Sequence, residues 1–238
     1  VWGIGRRSAD TLRSYGIQTA LDLKQADQNW IKKKFSVVTL RTVMELGGIS
    51  CLPVEVSSDP RQGMMVTRCF GRPVTQLAEM KEAIATHTCR LAEKLRQEGL
   101  ATQEFVVLMR TNRFADIPQY EANREVKLDV PTNSTDLLLP PALKAAEAIF
   151  KPGFQYYKAG VYTPELVEAD LIQPNLFDVS TDNKHERLMQ TLDRINQKLG
   201  TGSIQYAAVG LKQEWRTRLG YPSKRYTTCW SELAIAKT

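Results

Sequence analysis

The sequence predicts an α+β protein with a small all-α region, a ferredoxin-like βαββαβ domain and a C-terminal tail. Three patterns support this prediction. Short helical patterns punctuated by glycine extend to about residue 50, strand and helix patterns alternate from Met64, and a polar stretch begins near residue 171. The 238 residues, 42% hydrophobic and 24% charged, are typical of a globular protein of one large or two smaller domains.

The first region is predicted to contain four short helices. Ser8 to Tyr15 has helical periodicity, and Gly16 ends it because glycine readily adopts the left-handed conformation that follows a helix. Thr19 can cap a second helix. Trp30 to Leu46 has the pattern of a third and a fourth helix, and Gly47-Gly48 marks their end.

A linker is predicted after these helices. Cys51 to Gly63 contains Pro53 and Pro60 and shows little hydrophobic periodicity. Such a composition favours neither a helix nor a strand. We therefore assign residues 1–55 to the helical region and 56–63 to the linker.

The next region, residues 64–170, is predicted to form the mixed domain. Its strands read MMVTRCFG, EFVVLMRT, REVKLDV and QYYKAGVYTPEL. One amphipathic helix ends at Gly99, and a second is expected to start after the pair Pro140-Pro141. This order is ferredoxin-like, with one four-stranded antiparallel sheet, both helices on one face and the other face free.

The tail divides into two parts. Residues 171–183 form a polar segment that contains QPNLFD, and residues 184–238 follow. A helix is predicted from Lys184 to Leu199, with an apolar face made of leucine and isoleucine at spacings of four, three and four. The rest of the tail shows no independent hydrophobic core.

The composition favours an anionic partner and gives little support to catalysis. The net charge is +6, and the four cysteines lack the spacing of a zinc site. No apolar run is long enough to span a bilayer, and scattered thiols fit a cytoplasmic location. The two histidines have no nucleophile pattern beside them, GIGRR lacks the GK[ST] of a P-loop, and the acidic residues mostly share helix faces with basic ones.

The first residues, VWGIGRRSADTLRSYGI, resemble the second half of a helix-hairpin-helix element. Gly3 and Gly5 permit a tight turn, so backbone N–H groups at the start of the next helix can approach a phosphate. Arg6 and Arg7 add positive charge there. The alternative is an ordinary glycine-rich turn with solvated arginines.

A second group of candidate DNA-binding residues lies at predicted strand ends. Arg68 and Arg72 belong to the first strand, and Arg110, Thr111 and Arg113 to the end of the second. On neighbouring strands their side chains could line the helix-free face and follow a nucleic-acid backbone. Each arginine could equally be an ordinary solvated charge.

Several segments together resemble the C-terminal part of the Y-family translesion DNA polymerases, and more narrowly the UmuC type found in DNA polymerase V. They are VWGIGRR, FGRPVT, AEKLR, YYKAGV, QPNLFD and RYTT, which are distributed over the whole chain. The resemblance implies that the helical region is the thumb and the mixed domain the little finger. The family's catalytic palm, with its Mg²⁺, would be missing. We therefore expect an inactive fragment of a polymerase, without a catalytic residue, metal or cofactor of its own.

The resemblance also implies a role for the QPNLFD segment. In the family, a Gln-x-x-Leu-Phe segment docks on the sliding clamp, so Leu176 and Phe177 would enter an apolar pocket and Gln173 would bond at its rim. The alternative is a Leu-Phe pair that folds back on its own domain.

Three functions are therefore open. The first is a DNA-binding and clamp-tethering part of an error-prone polymerase of the SOS response. The second is a non-enzymatic interaction module for a UmuD′-type regulatory subunit or a RecA filament, for which the tail from Lys184 is the candidate surface. The third is a nuclease or ligase-type enzyme, for which the sequence shows no metal-ligand cluster.

Overall fold

A computed structural model describes residues 1–54, 61–172, 183–217 and 220–234. The chain divides into two compact units, Val1–Pro60 and Arg61–Thr238. The division falls inside the predicted linker at 56–63. The finer domain assignments made from the sequence stay predictions.

The first unit consists of four short helices. They are α1 (Arg6–Ser14), α2 (Ala20–Gln25), α3 (Gln28–Lys34) and α4 (Val37–Leu46). Side chains fix three of the four helix starts: Thr19 and Asp22 cap each other's backbone at α2, Asp27 caps α3 and Ser36 caps α4. The helices enclose a small core of Leu12, Leu23, Ile31 and Val43.

The second unit contains five strands and three α-helices within the described residues. The elements are β1 (Met64–Val74), α5 (Leu77–Gln97), β2 (Leu100–Thr111), β3 (Glu121–Thr132), α6 (Thr135–Ile149), β4 (Tyr156–Thr163), β5 (Val167–Glu168) and α7 (Asn183–Leu199). From β1 to β4 the order is the predicted βαββαβ. The short strand β5 adds two residues beside the start of β2.

The sheet is antiparallel, and its lateral order is β1-β4-β2-β3. Each helix joins two strands that have one strand between them, which is the split β-α-β arrangement. A strictly ferredoxin-like sheet has its first and third strands in the centre, whereas here β2 and β4 are central. The prediction is therefore confirmed in its element order and differs in its lateral strand order.

Both long helices cover the same face of the sheet. The main core contains residues of α5, α6 and the facing side chains of the strands, including the fully buried Phe105, Val107 and Val161. Residues next to these along each strand point to the other side, because side chains alternate along a strand. The uncovered side is called the open face below.

The start of α6 corrects a prediction from the sequence. The helix begins at Thr135 and contains Pro140 and Pro141, although a start after the prolines was expected. The carbonyl of Ser134 accepts the N–H groups of Leu137 and Leu138 and so closes the first turn ahead of the prolines. Burial of Leu138 and Leu139 then holds this turn against the domain.

The C-terminal region packs on the helices of the mixed domain, on the side away from the open face. Arg96 of α5 forms a double hydrogen bond with Asp193 of α7, at 2.6 and 2.8 Å, and both side chains are almost buried. Met189 is buried, whereas Leu188 and Leu199 of the predicted apolar face are exposed. The inward side of α7 therefore includes Asp193, Met189 and the half-buried Leu192 and Ile195, so the predicted apolar face is partly buried only in its middle.

Further along the tail, Trp215 enters the main core of the domain. Its ring lies 5.7 Å from that of Phe70 and 6.0 Å from that of His87, measured between centroids, and its carbonyl accepts the N–H of Gly71 at 2.8 Å. A Cβ on Gly71 would lie 2.7 Å from the carbonyl oxygen of Arg216, so this approach requires glycine. The tail thus has no separate core because it shares that of the domain.

We predict that Asp193→Asn loosens α7. The substitution leaves the Arg96 guanidinium in a nearly buried site without its carboxylate, which should destabilise the docked helix by about 3 kcal/mol. Hydrogen exchange of the α7 amides measures this change. Glu147→Gln, which breaks the more exposed pair of Glu147 with Lys81, is the control and should cost less than about 0.5 kcal/mol. Equal exchange in both variants would contradict the prediction.

We also predict a stability loss in mild acid that depends on His87. Burial, with the nearby charges of Arg68 and Arg216, lowers the pKa of His87 from 6.5 to about 4. The unfolded chain therefore takes up this proton first as the pH falls, so stability present above pH 6.5 is lost towards pH 4. From pH 7 to pH 5 the loss should be about 2 kcal/mol.

Urea unfolding of the wild type and His87→Leu at both pH values tests this expectation. His87→Leu should remove that part of the pH dependence, and His185→Gln, at an exposed histidine, should retain it. An unchanged pH dependence in His87→Leu would show that the prediction is wrong.

Candidate nucleic-acid interface

One transverse row of the open face carries a pair of cations. The strand register aligns Cys69 of β1 with Lys158 of β4, Lys158 with Arg110 of β2, and Arg110 with Glu121 of β3. Arg110 and Lys158 are therefore neighbours at the end of the sheet next to the β2–β3 loop. Neither forms a salt bridge with any residue that the structure describes.

Arg113 and Glu121 form a partly compensated pair at the same end. The Arg113 guanidinium donates to Glu121 Oε2 at 2.7 Å, and this hydrogen bond lowers the pKa of Glu121. Both side chains are more than half exposed. Positive charge thus exceeds negative charge in this part of the open face.

The opposite end of the open face is different. Lys127 of β3 lies 3.0 Å from Glu125 and 3.6 Å from Glu104, so two carboxylates surround one ammonium group. Between the two ends lie Met65 and Tyr162, which face each other across β1 and β4. The open face therefore has a cationic end, an apolar middle and an acidic end, and is not uniformly basic.

The structure separates the arginines that the sequence grouped together. Arg68 is aligned with the buried Ala159 and its charge affects His87 of α5, so it lies on the helix side of β1. Arg72 donates to both Glu79 and Glu214. Of the predicted strand-end group, only Arg110 has an open-face position and forms no salt bridge with a described residue, although Glu121 lies opposite it on β3. The cause is the alternation of side chains along β1, which strand-end spacing alone did not reveal.

Thr111 is buried and has a structural role. Its hydroxyl donates to Gln119 Oε1 at 2.8 Å and accepts from the N–H of Tyr120 at 3.1 Å. It therefore holds the two ends of the β2–β3 loop together. Lys158 was missed from the sequence, although its position one residue before Ala159 and three before Val161 in the apolar run of this strand could have suggested an open-face cation.

The β2–β3 loop, residues 112–120, projects from the cationic end. The side chain of Gln119 donates to the carbonyls of Asn112, Ala115 and Ile117, each at 3.0 Å. At the tip, Phe114 is 97% exposed.

In the first unit, the predicted phosphate-binding turn precedes α1. Gly3 has φ of 83°, which favours glycine, whereas Gly5 has an ordinary φ of −76° and serves as the N-cap without a side-chain hydrogen bond. Arg6 and Arg7 are exposed in the first turn, which contains no acidic residue. Cations at the positive end of a helix dipole are unfavourable unless an anion is nearby.

The predicted clamp-binding residues lie in a segment that the structure does not describe. Gln173, Leu176 and Phe177 lie outside the described residues. Within the described ranges, no group of three or more His, Cys, Asp or Glu side chains is arranged to hold a metal ion. None of the described helices combines the length and apolar character needed to cross a membrane.

Two family models match the second unit. Residues 61–176 match the impB/mucB/samB family C-terminal domain, and residues 186–236 match a domain of unknown function, DUF4113. The first covers the whole sheet with α5 and α6. The second covers most of α7 and the tail that packs on them.

Known proteins are similar along most or all of the chain. SamB and UmuC of Salmonella typhimurium are 38% and 36% identical to it over its full length, which covers 56% and 57% of those proteins. DNA polymerase IV of Desulfatibacillum aliphaticivorans is 26% identical over 88% of this chain and 52% of its own length. The chain thus spans about half the length of the curated relatives it matches.

Proposed function

Because the chain belongs to the impB/mucB/samB family, whose C-terminal domain it carries, we propose that it is a DNA-binding part of an error-prone Y-family translesion polymerase. The resemblance to the UmuC type is confirmed by these matches. The observation that supports DNA binding most directly is the neighbouring pair Arg110 and Lys158 on the open face, neither of which forms a salt bridge with a described residue. The polymerase activity, its Mg²⁺ and its place in the SOS response belong to the proposal for the whole protein.

The open face would contact duplex backbone through its cationic end. Phosphate contacts by lysine and arginine supply most of the affinity for DNA and carry no sequence information. Two neighbouring cations on a rigid sheet can meet phosphates without ordering a flexible segment. The acidic far end, around Lys127, would limit contact to one part of the face.

The turn before α1 would supply a second, separate phosphate contact. Free N–H groups at the helix start, together with Arg6 and Arg7, favour an anion there. An anion would also offset the unfavourable position of two arginines in the first turn. Gly3 and Gly5 would contribute by forming the tight turn that lets a phosphate approach these N–H groups.

Clamp tethering is proposed for Gln173, Leu176 and Phe177 because their segment resembles the Gln-x-x-Leu-Phe segment with which the family docks on the sliding clamp. An apolar pair could contribute several kilocalories per mole before ordering costs, so the segment alone should bind weakly and gain from simultaneous DNA contact.

A second function, as a surface for a regulatory subunit or a recombinase filament, is favoured by the end of the tail. Tyr221 is fully exposed and Trp230 is 89% exposed, and exposed aromatic side chains are common at protein interfaces. The Arg225 guanidinium is bound to Glu232, which closes a compact loop next to Trp230. The inward side of α7 is not available for such a partner, because it contacts α5.

We predict that Arg110→Ala and Lys158→Ala each weaken binding to primer-template DNA of any sequence. Each should also reduce the steepness of the salt dependence by about one unit in the logarithmic plot, because one phosphate contact is lost. Fluorescence anisotropy over a salt series with the full chain measures both quantities.

Arg72→Ala is the matched control, since Glu79 and Glu214 already compensate this arginine. It should leave the salt slope nearly unchanged. Wild-type affinity that does not fall with salt would reject DNA binding, and equal effects of all three substitutions would reject the assigned interface.

We also predict that the double substitution Leu176→Ala with Phe177→Ala weakens sliding-clamp binding by about 3 kcal/mol and leaves DNA binding unchanged. Surface plasmon resonance on immobilised clamp, with DNA anisotropy on the same preparation, tests this. Joint loss of both activities would instead indicate a folding defect, and unchanged clamp affinity would exclude the segment as the tether.

A further inference from the structure

The exposed ring at the tip of the β2–β3 loop has no role in folding. Phe114 is 97% exposed, so its burial contributes nothing to the core, although phenylalanine is among the residues most often buried. Its neighbours Arg113 and Ala115 do not cover it. An isolated exposed apolar residue needs no explanation by itself. The loop around Phe114, however, is unusually well held.

Hydrogen bonds fix the loop from both sides. The N–H groups of Phe114 and Ala115 donate to the side-chain and backbone oxygens of Asn112, both at 3.1 Å. Gln119 donates to three loop carbonyls and accepts from the buried Thr111 hydroxyl. The backbone that carries the ring is therefore ordered before any ligand arrives, which reduces the entropic cost of a contact through the ring.

The electrostatic surroundings of the loop select the class of ligand. Arg110 and Lys158 lie at the adjoining end of the open face, and Lys151 lies 4.8 Å above the ring of Tyr120 at the base of the loop. The carboxylates at this end are Asp116 and Glu121, and Glu121 is paired with Arg113. Cations thus outnumber carboxylates at the end of the domain that carries this exposed aromatic ring, and cations with an aromatic ring are the combination that single-stranded nucleic-acid sites use.

We propose that Phe114 stacks on an unpaired base of single-stranded DNA that continues from the duplex held at Arg110 and Lys158. The inference rests on the proposed function and specifies its substrate as a junction of duplex and single strand. Bases inside a duplex are already stacked on both sides and held by pairing, whereas an unpaired base in an overhang can turn one face to the ring. Phe114 would then bind any base, because every base has such a face.

The test compares two DNAs of the same duplex sequence, one blunt and one with a single-stranded template overhang. The wild-type chain should bind the overhang DNA about tenfold more tightly than the blunt DNA, the gain expected for one stacked base. Phe114→Ala should remove this gain while leaving blunt-duplex affinity and the salt slope unchanged, because no charge is lost. 2-Aminopurine placed at successive overhang positions should be quenched by the wild type at one position and not by the variant.

Three further variants and one control separate stacking from other effects. Phe114→Trp should keep the gain, whereas Phe114→Leu, which is apolar but has no ring, should lose it. Gln119→Ala should lower the affinity gain for overhang DNA without abolishing it, because the loop is less ordered in this variant. Tyr221→Ala, at another fully exposed aromatic residue, is the matched control and should behave as the wild type.

The outcomes distinguish the two proposals. A wild-type chain that binds neither DNA overturns the proposed function and this inference together. A chain that binds both DNAs equally, with no effect of Phe114→Ala, overturns only the stacking role. Full retention of the overhang gain by Phe114→Leu would also overturn it, since the contact would then be apolar and not a base stack.

Discussion

The one-sided burial of the sheet is the constraint on which the rest of the second unit depends. Phe105, Val107 and Val161 point towards α5 and α6 and are fully buried in the main core. Because side chains alternate along a strand, every residue between them must point to the open face. A second surface on a rigid support, polar at its ends and apolar in its middle, therefore lies opposite the core.

The lateral order of the strands determines which charged residues of the open face are neighbours. The central strands β2 and β4 bring Arg110 and Lys158 together, although 48 positions separate them in the sequence. Edge strand β3 supplies both the Glu121 that partly compensates this end and the Lys127 that lies between carboxylates at the other. A different lateral order would place the same residues on different neighbours and change the electrostatic pattern.

The C-terminal region is joined to the domain by interactions of two kinds. Trp215 contributes apolar contacts inside the main core, and the pair Arg96–Asp193 supplies charge-assisted hydrogen bonds at the outer face of the helices. Both act on the side of the sheet opposite the open face. The contacts of the C-terminal region thus leave the open face uncovered, and Tyr221 and Trp230 are exposed.

The sequence by itself determined the order of helices and strands and the family, because hydrophobic periodicity and short motifs are local properties. It placed the start of α6 too late, since the burial of Leu138 and Leu139 outweighs the proline signal. Only the tertiary structure decided that Arg68 lies on the helix side, that Arg72 is compensated, and that Lys158 joins Arg110. The positions and partners of these side chains depend on strand register and on residues distant in sequence. A local sequence pattern contains neither kind of information.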